Sequence, residues 1–421
     1  MTKRVISMWA AAFSLATAAM AAAEEPVLRV EPLVQEAIAR NPKILAARER
    51  HSALKEKIPQ AGALDDPMLS FGVVNLPNNF DFDEEDMTAK EIAISQKLPF
   101  PGKRGLNEEA AAREADAGAA EADEVANQIA KEVKAAFYDL SHAYRAMEVT
   151  QRNKGLLEEL VKITQTRYAL GQGIQEDVIR NQVEISKMVD DLIMLDQQKR
   201  ALAAKLNYLL NRPRNSPVGR PEDIHFRPAA IAIEDLQQQA LESNPMLRAL
   251  KHEIAARSKN IELARRDYFP DVNLKLAYGQ REDRLDMYSG MIEINLPIFI
   301  KSKQERRVAE GYADVRSAQA RHAGAQNEIF FMIADMGSMA QRLERKVELY
   351  RTGIIPQARL QIDTAMSAYM VNKADFMTLL DSHMRLYRYE LDYHDALTAY
   401  EKILAALEAA VGRPLPREVS K

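Results

Sequence analysis

The chain has 421 residues, of which 47% are apolar and 28% charged, and its formal net charge is -4. This balance is typical of a globular protein, and abundant alanine with few aromatic residues favours long helices. The sequence has no cysteine, which excludes disulfides, thiolate chemistry and a lipidated N-terminal cysteine, and it has no basic stripe, so we expect no nucleic acid partner.

Residues 1–23 have the pattern of a cleaved export signal. Lys3 and Arg4 precede an apolar run over residues 5–19, and three alanines end at Ala23. We therefore expect cleavage near Ala23 and export from the cytoplasm. The alternative is a buried N-terminal helix, but such a helix seldom opens a chain with this charge order. Elsewhere no run approaches the ~20 apolar residues that a membrane-spanning helix needs.

The rest of the chain contains an internal repeat. The segment LVQEAIARNPKILAARERH, which begins at Leu33, corresponds to LQQQALESNPMLRALKHEI, which begins at Leu236. In both halves a Pro-started extended stretch, a long helical segment, a short interruption and a second helix follow in the same order. We predict a first repeat over 24–213, a Pro-rich connector over 214–233, a second repeat over 234–414 and a short tail over 415–421.

Each half contains a helical segment of unusual length. Residues 102–168 include no proline and, after Gly102 and Gly105 at their start, only the isolated Gly118 and Gly155, and at about 1.5 Å per residue they would extend on the order of 100 Å. Apolar residues recur every three or four positions, as in the seam of a coiled coil. The predicted seams are Val125, Ile129, Val133, Phe137, Leu140, Tyr144 and Met147 in the first half, and Ile329, Ile333, Met336, Ala340, Leu343, Val347 and Tyr350 in the second.

Four segments have the composition of strands, at 70–76, 90–98, 272–280 and 288–296. Each has about the length of a transmembrane strand. Four strands cannot close a barrel, and an open strand edge cannot lie in lipid. If these strands span a membrane, several chains must share one barrel, with eight strands from two chains or twelve from three.

The motifs ARNPKI, QKLPFPGKRG, RYALGQGIQEDVIRNQ and NYLLNRP, together with the duplicated order of half-helix, strand pair, long helix and half-helix, resemble the TolC-like outer-membrane efflux proteins over residues 33–414. LPFPGKRG in particular resembles the heavy-metal efflux branch. The resemblance implies a mainly α protein with a membrane β-barrel, in which a homotrimer forms a twelve-stranded barrel continued by a long α-helical barrel. It also implies a periplasmic adaptor and a proton-driven inner-membrane pump as partners.

The resemblance places the interruption after each long helix at the periplasmic tip, where the family docks its adaptor and closes its pore. The residues carried over are Tyr168, Gly171, Gly173 and Asp177 in the first half, and Tyr369, Asn372, Lys373 and Asp381 in the second. Tyr369 and Asp381 match positions that form closing links in some members. The residues also suit plain helix turns: Gly171 and Gly173 permit a tight reversal, Asn372 tolerates left-handed geometry, and Asp177 or Glu176 could cap the returning helix.

Signals for catalysis are absent from the sequence, so we expect neither an enzyme nor a cofactor. The seven histidines are scattered without the spacing of a zinc site. Methionines that share helical faces suit soft cations but more often fill seams between helices. We expect a passive outer-membrane exit duct for small solutes, heavy-metal cations in particular. The alternatives are a channel for drugs and organic toxicants, or a soluble periplasmic helical adaptor or scaffold.

Overall fold

A computed structural model describes residues 27–417, so the predicted export signal lies outside the described residues. The first half contains α1 (Val30–Arg40), α2 (Pro42–Gly62), β1 (Met68–Val74), β2 (Ala89–Leu98), α3 (Lys103–Ala169) and α4 (Gln175–Leu209). The second half contains α5 (Ile233–Ser243), α6 (Pro245–Arg266), β3 (Val272–Gln280), β4 (Met287–Ile294), α7 (Gln304–Leu349), a π-helical turn (Tyr350–Ile354), α8 (Ile355–Met370) and α9 (Phe376–Val411). The predicted mainly helical fold is confirmed. Within residues 27–417, no helix is both long enough and apolar enough to cross a membrane.

Each half opens with two helices joined at an Asn-Pro pair. The side-chain oxygen of Asn41 accepts a hydrogen bond from the amide of Lys43, and that of Asn244 accepts one from the amide of Leu247. The following prolines occupy the first position of α2 and α6, where the missing N–H costs nothing. The same local sequence therefore starts the same helix in both halves.

The long helix α3 runs through 67 residues. Most members of the predicted seams are buried and the others are half-buried, which confirms the seams. In the first half they pack with α1, α2 and the end of α4 around Phe137, and in the second they pack with α5, α6 and α9 around Tyr400. A third core joins α3, α4, α8 and α9 nearer the turns that follow α3 and α8, around Leu157 and Leu379.

The second long helix departs from the first at one point. An offset of 201 residues relates Lys103, which begins α3, to Gln304, which begins α7. Before α8 the second helix passes through the π-helical turn, because Pro356 has no N–H and its ring would clash with the carbonyl of Thr352 in a regular helix. At the same offset Pro356 corresponds to Gly155, where α3 stays regular. The π-helical turn was not predicted.

The four strands form one antiparallel sheet in the order β1-β2-β3-β4, so that the strand pairs of the two halves meet at β2 and β3. The predicted ranges 90–98 and 272–280 agree with β2 and β3 to within one residue. β1 begins two residues before the predicted 70–76, and β4 ends two residues before the end of the predicted 288–296.

The two faces of the sheet differ in chemistry. Cross-strand register places apolar side chains together on one face, namely Leu69, Phe71, Ile92, Ile94, Leu276, Tyr278 and Tyr288. Phe71 is 72% exposed and Tyr288 is 84% exposed. The other face carries small and charged side chains, namely Ser70, Glu91, Ala93, Lys275, Ala277 and Ser289, together with Met68, Met287 and Met291 on the two outer strands. Lys275 and Glu91 form an ion pair of 2.9 Å on that face.

The connector between the halves is fixed by both ends of the described chain. Leu28 forms a parallel bridge with Pro221, and Ala229 forms an antiparallel bridge with Arg417. The guanidinium of Arg417 pairs in turn with the buried carboxylate of Glu401 at 3.0 Å. The connector thus crosses α3, α7 and α9 as a belt. The N-terminal end of the described chain binds it at Pro221, and the C-terminal end binds it at Ala229.

Candidate functional site

The turn between α3 and α4 is built on one left-handed glycine. Gly171 has φ of 70°, and the amides of Gly171 and Gln172 donate to the carbonyls of Tyr168 at 3.0 Å and Arg167 at 2.8 Å. This pattern closes the C-terminus of α3 and requires a residue that adopts positive φ. Gly173 lies outside the left-handed region, and a Cβ atom there would lie 3.4 Å from the Cβ atom of Arg167. The tight reversal therefore depends on Gly171.

The turn between α8 and α9 repeats this geometry with asparagine. Asn372 has φ of 58°, and the amides of Asn372 and Lys373 donate to the carbonyls of Tyr369 and Ala368. Asp375 then caps α9 by accepting from the amide of Thr378 at 2.8 Å. Hydrogen bonds from the hydroxyl and the amide of Thr378 hold the pKa of Asp375 below its usual range.

The predicted cap of α4 was wrong. The residue at the cap position is Ile174, whose side chain has no group that could accept a hydrogen bond. Glu176 and Asp177 lie inside the first turn, where carboxylates act on the positive end of the helix without capping it. Partial burial raises the pKa of Asp177, and the neighbouring carboxylates of Glu176 and Asp375 raise it further. Asp177 and Asp375 thus bring the two turns into electrostatic contact.

Arg167 joins the two turns directly. Its Nη1 donates a 2.8 Å hydrogen bond to the carbonyl of Tyr369, and its guanidinium lies 4.4 Å from the centre of the Tyr369 ring. Tyr369 is only 5% exposed and also packs against Phe376. A role for Arg167 was not predicted from the sequence. The signal in the sequence is a difference between the halves: the last turn of α3 has Arg167 where α8 has the small residue Ala368.

The other predicted residues face outward. Tyr168 is 49% exposed, in contrast to Tyr369. Lys373 is exposed, and Asp381 forms an exposed ion pair of 2.7 Å with Arg385 one turn further along α9. The structure therefore brings Tyr369 into contact with Arg167, places Asp177 near enough for its charge to act on Tyr369, and leaves Tyr168, Lys373 and Asp381 on the surface.

The end of the bundle presents apolar side chains to solvent. Leu170 and Ile174 of the first turn are exposed, as are Met370 and Val371 of the second. A groove of about 360 Å³ lies between the last turns of α3 and Met370. It is lined by Lys162, Ile163, Thr166, Arg167, Gln172 and Met370. Exposed apolar groups beside a groove are typical of a protein docking surface. We call Arg167–Asp177 and Tyr369–Asp381 together the tip.

The PFPGKRG motif lies at the other end of α3, where the sheet meets the helices. Lys103 pairs with Asp271 at 2.9 Å and with Asp267 at 3.1 Å, and both carboxylates belong to the second half. Phe100 stacks on Phe269 with ring centres 4.5 Å apart. The motif therefore ties the two halves together beneath the sheet.

Metal ligation by hard or borderline donors has no support in the described part of the chain. Between residues 27 and 417, no three histidine or carboxylate side chains are grouped so that they could hold a metal ion. The methionines on shared helical faces are divided: Met336, Met366 and Met384 pack against the cores, whereas Met332, Met339, Met370 and Met377 are exposed.

Comparison with known proteins relates the chain to one group. The family model described as outer membrane efflux protein matches residues 33–212 and 236–413. Nodulation protein T from Rhizobium leguminosarum bv. trifolii is 22% identical over 402 residues, which cover 90% of this chain and 84% of that protein.

Solved structures show the same fold. The outer membrane protein VceC from Vibrio cholerae has a TM-score of 0.77 at 18% identity, covering 91% of this chain and 96% of its own. The CusC channel has a TM-score of 0.77 at 17% identity, covering 95% and 96%. The MtrE outer membrane channel from Neisseria gonorrhoeae, in its open state, has a TM-score of 0.75 at 18% identity, covering 93% and 91%.

Proposed function

Because the chain belongs to the outer membrane efflux protein family, whose members are passive ducts and not enzymes, we propose that it is the exit duct of a tripartite efflux system. In this system a periplasmic adaptor joins the duct to an inner-membrane pump, which is proton-driven and supplies the energy. Family membership excludes the soluble scaffold considered from the sequence.

The observation that carries the proposal is the two-faced sheet. An apolar face suits contact with lipid, and a face of small and charged side chains suits contact with water in a lumen. Within residues 27–417, neither β1 nor β4 has a second strand neighbour. Pairing β1 of one copy with β4 of the next removes these edges, and three copies supply the twelve strands of a closed barrel. We propose such a homotrimer in the outer membrane.

The helices offer matching surfaces for the same assembly. Within one copy α3 packs between α4 and α9, and α9 packs against α8, so that α4 and α8 lie at opposite edges of the layer. Both edges expose apolar side chains, which are Ile179, Val183, Ile193 and Met194 on α4, and Phe331, Met339, Leu349 and Leu360 on α7 and α8. Different surfaces that meet around a ring close a cyclic oligomer. This packing supports the proposal of a long α-helical barrel that continues the β-barrel.

We propose that the tip docks the adaptor and gates the pore. The exposed residues Tyr168, Lys373 and Asp381, with the turns at Gly171, Gly173 and Asn372, form the docking surface. Tyr369, in contact with Arg167, and the nearby Asp177 link the two helix pairs in the closed state.

The proposed cargo is heavy-metal cations, and drugs or organic toxicants are the alternative. The support for metals is the likeness of LPFPGKRG to the heavy-metal branch. The packing of Lys103 at the junction accounts for the same motif by fold alone, so growth measurements must decide. We also propose export with cleavage near Ala23, and repeats over 24–213 and 234–414 joined by the connector at 214–233.

The test compares growth of a deletion strain with that of a complemented strain on metal salts, dyes, detergents and antibiotics. Sensitivity restricted to metals would support the heavy-metal cargo, and sensitivity to organic compounds would replace it with the alternative. Equal growth of both strains on the whole panel, with the protein absent from outer-membrane fractions, would overturn the exit-duct proposal itself.

A further inference from the structure

A pocket of about 320 Å³ lies where the π-helical turn faces α3 and α9. It opens on the surface that carries the connector, since Asp223 pairs with Arg145 at its rim and the ring of Phe226 lies 5.9 Å from the guanidinium of Arg351. The pocket is therefore next to the belt, on the side toward the tip. It is separate from the tip groove and from the sheet.

Four arginines line this pocket, which we call the arginine pocket: Arg145 and Arg152 from α3, Arg351 from the π-helical turn and Arg359 from α8. Only two carboxylates, Glu148 and Glu390, share the lining. The lining thus carries two more positive than negative charges, and the groups that pair with it at the rim, Arg220, Asp223 and Glu348, leave an excess of one positive charge. An excess of guanidinium groups around a cavity favours a bound anion.

Ion pairs with the surrounding carboxylates use only some of the N–H donors of these four guanidinium groups. Glu390 alone receives both Arg152 and Arg359, the latter at 3.1 Å. Glu148 receives Arg145 and also Arg220 from the belt. Arg351 donates from Nε and Nη2 to both carboxylate oxygens of Glu348 at 2.8–3.1 Å, so that its Nη1 is the nitrogen left for a further acceptor. Each guanidinium has five donors in a fixed fork, so shared carboxylates leave donors available to a further oxyanion.

The remaining polar wall does not cancel this charge. Burial, followed by the nearby charges of Arg145 and His142, lowers the pKa of His394 to about 4. The imidazole is therefore neutral at pH 7 and neither adds to nor reduces the positive charge of the lining. Tyr393 and Ile355 complete a wall of mixed polarity.

The internal repeat shows that helix packing does not require this arrangement. At the offset of 201 residues, Arg351 corresponds to Thr150 and Arg359 corresponds to Glu158. The first half also keeps a regular helix where the second has the π-helical turn. π-helical turns within α-helices are frequent at functional sites.

We propose that the arginine pocket binds a small oxyanion, a phosphate or carboxylate group, between Arg152, Arg351 and Arg359. The ligand is a free solute from the compartment that surrounds the helices, bound on the outer wall of the duct and not in transit through it. The site does not depend on the proposed cargo.

The test is isothermal titration of inorganic phosphate, and separately of succinate, into the purified full-length protein in detergent at low ionic strength. The variant carries Arg351→Gln and Arg359→Gln, and the control is Arg200→Gln, which removes an exposed arginine of α4 that pairs with Asp196. We expect the double variant to bind about tenfold more weakly or worse, because two charge-assisted contacts are lost, and the control to bind like the wild type.

A second variant separates binding from structure. Glu390→Gln removes the carboxylate that competes with the ligand, so phosphate should bind severalfold more tightly, whereas a purely structural cluster predicts no gain. Phosphate and succinate that compete with each other indicate one site for both oxyanions, and binding of one alone identifies the group. No measurable binding of either to the wild type, or equal binding to the double variant, would overturn the proposal.

Discussion

The side-chain amide of Asn41 donates a 2.8 Å hydrogen bond to the backbone carbonyl of Leu209, which lies 168 residues further along the chain. The second half repeats the contact between Asn244 and Ala410, also at 2.8 Å. Both asparagines are buried, and both cap a helix with the other atom of the same amide. One side chain therefore starts the second helix of each half and holds that half's last helix against it.

Replacement of Asn41 by alanine should destabilise the protein by about 2–3 kcal/mol, since it removes a helix cap and leaves a buried carbonyl without its donor. Asn41→Asp should restore the cap but not the donor, and should remain destabilised. The measurement is denaturant unfolding of the purified protein. Asn260→Ala, at an exposed position of α6, is the control, with an expected change within about 0.5 kcal/mol. Equal loss in both alanine variants would contradict the assigned role of Asn41.

Adjacent residues of β1 test which face of the sheet meets lipid. Phe71→Asp places a charge on the apolar face, which should oppose membrane insertion, by less than the about 2–4 kcal/mol that an arginine costs at mid-membrane depth, and deplete the protein from outer-membrane fractions. Ser70→Asp places the same charge on the polar face and should insert normally. Loss of both variants from the membrane, or retention of both, would contradict the proposed orientation of the sheet.

The two tip glycines should differ in their tolerance of substitution. Gly171→Val forces a β-branched residue into positive φ and should distort the turn, at a cost of about 1–3 kcal/mol, and weaken adaptor capture in a pull-down. Gly171→Asn should be tolerated, because Asn372 holds the equivalent conformation. Gly173→Ala should also bind the adaptor, since its Cβ atom meets only ordinary contacts. The trimer should persist in all three. Full adaptor capture by Gly171→Val would count against the docking surface.

Loss of the link between Arg167 and Tyr369 should open the tip. Arg167→Ala removes both the hydrogen bond and the contact with the ring, so single-channel conductance in planar bilayers should rise. Arg167→Lys keeps the charge but not the planar group, and should be intermediate. Arg200→Gln, which removes an exposed pair with Asp196 further along α4, is the control and should conduct like the wild type. Unchanged conductance in Arg167→Ala would contradict the proposed gating role of the contact between Arg167 and Tyr369.

Acid should weaken the packing around His394. Its pKa is lowered from 6.5 to about 4, chiefly by burial, so the folded state holds the neutral ring while the unfolded state takes up a proton. The contribution to stability is therefore full above pH 6.5 and is lost as pH falls through the window from 6.5 to about 4. The loss should reach on the order of 3 kcal/mol. In His394→Gln this part of the pH dependence should disappear from denaturation profiles, and parallel profiles would refute it.

Much of the fold could be predicted because the regular spacing of apolar residues along a segment indicates its secondary structure and its buried face. The extent of α3 and the burial of Ile129, Val133 and Phe137 follow from spacing alone. The strand ranges were right to within two residues because alternation and proline mark them. The π-helical turn was missed although Pro356 signals it, since a proline inside a helix can be accommodated in several ways.

The tip was predicted less well than the fold. Left-handed geometry at Gly171 and Asn372 follows from residue type. The contact between Arg167 and Tyr369 depends on how two helices cross, which no local pattern encodes. The cap assigned to Asp177 was wrong because a carboxylate near a helix start can act on the helix from inside its first turn as well as from the cap position.

The belt has a consequence for the order in which the protein can mature. Export that begins at the N-terminus delivers Leu28 early, and its partner Pro221 only after the whole first half. The second bridge of the belt, at Ala229, cannot form before Arg417 is exported. Arg417 also pairs with the buried Glu401. A chain without Arg417 therefore has a belt that is bound only at Pro221, and its buried Glu401 has no counterion. We therefore expect the belt to be completed late, and chains truncated before Arg417 to be degraded more rapidly than the full chain.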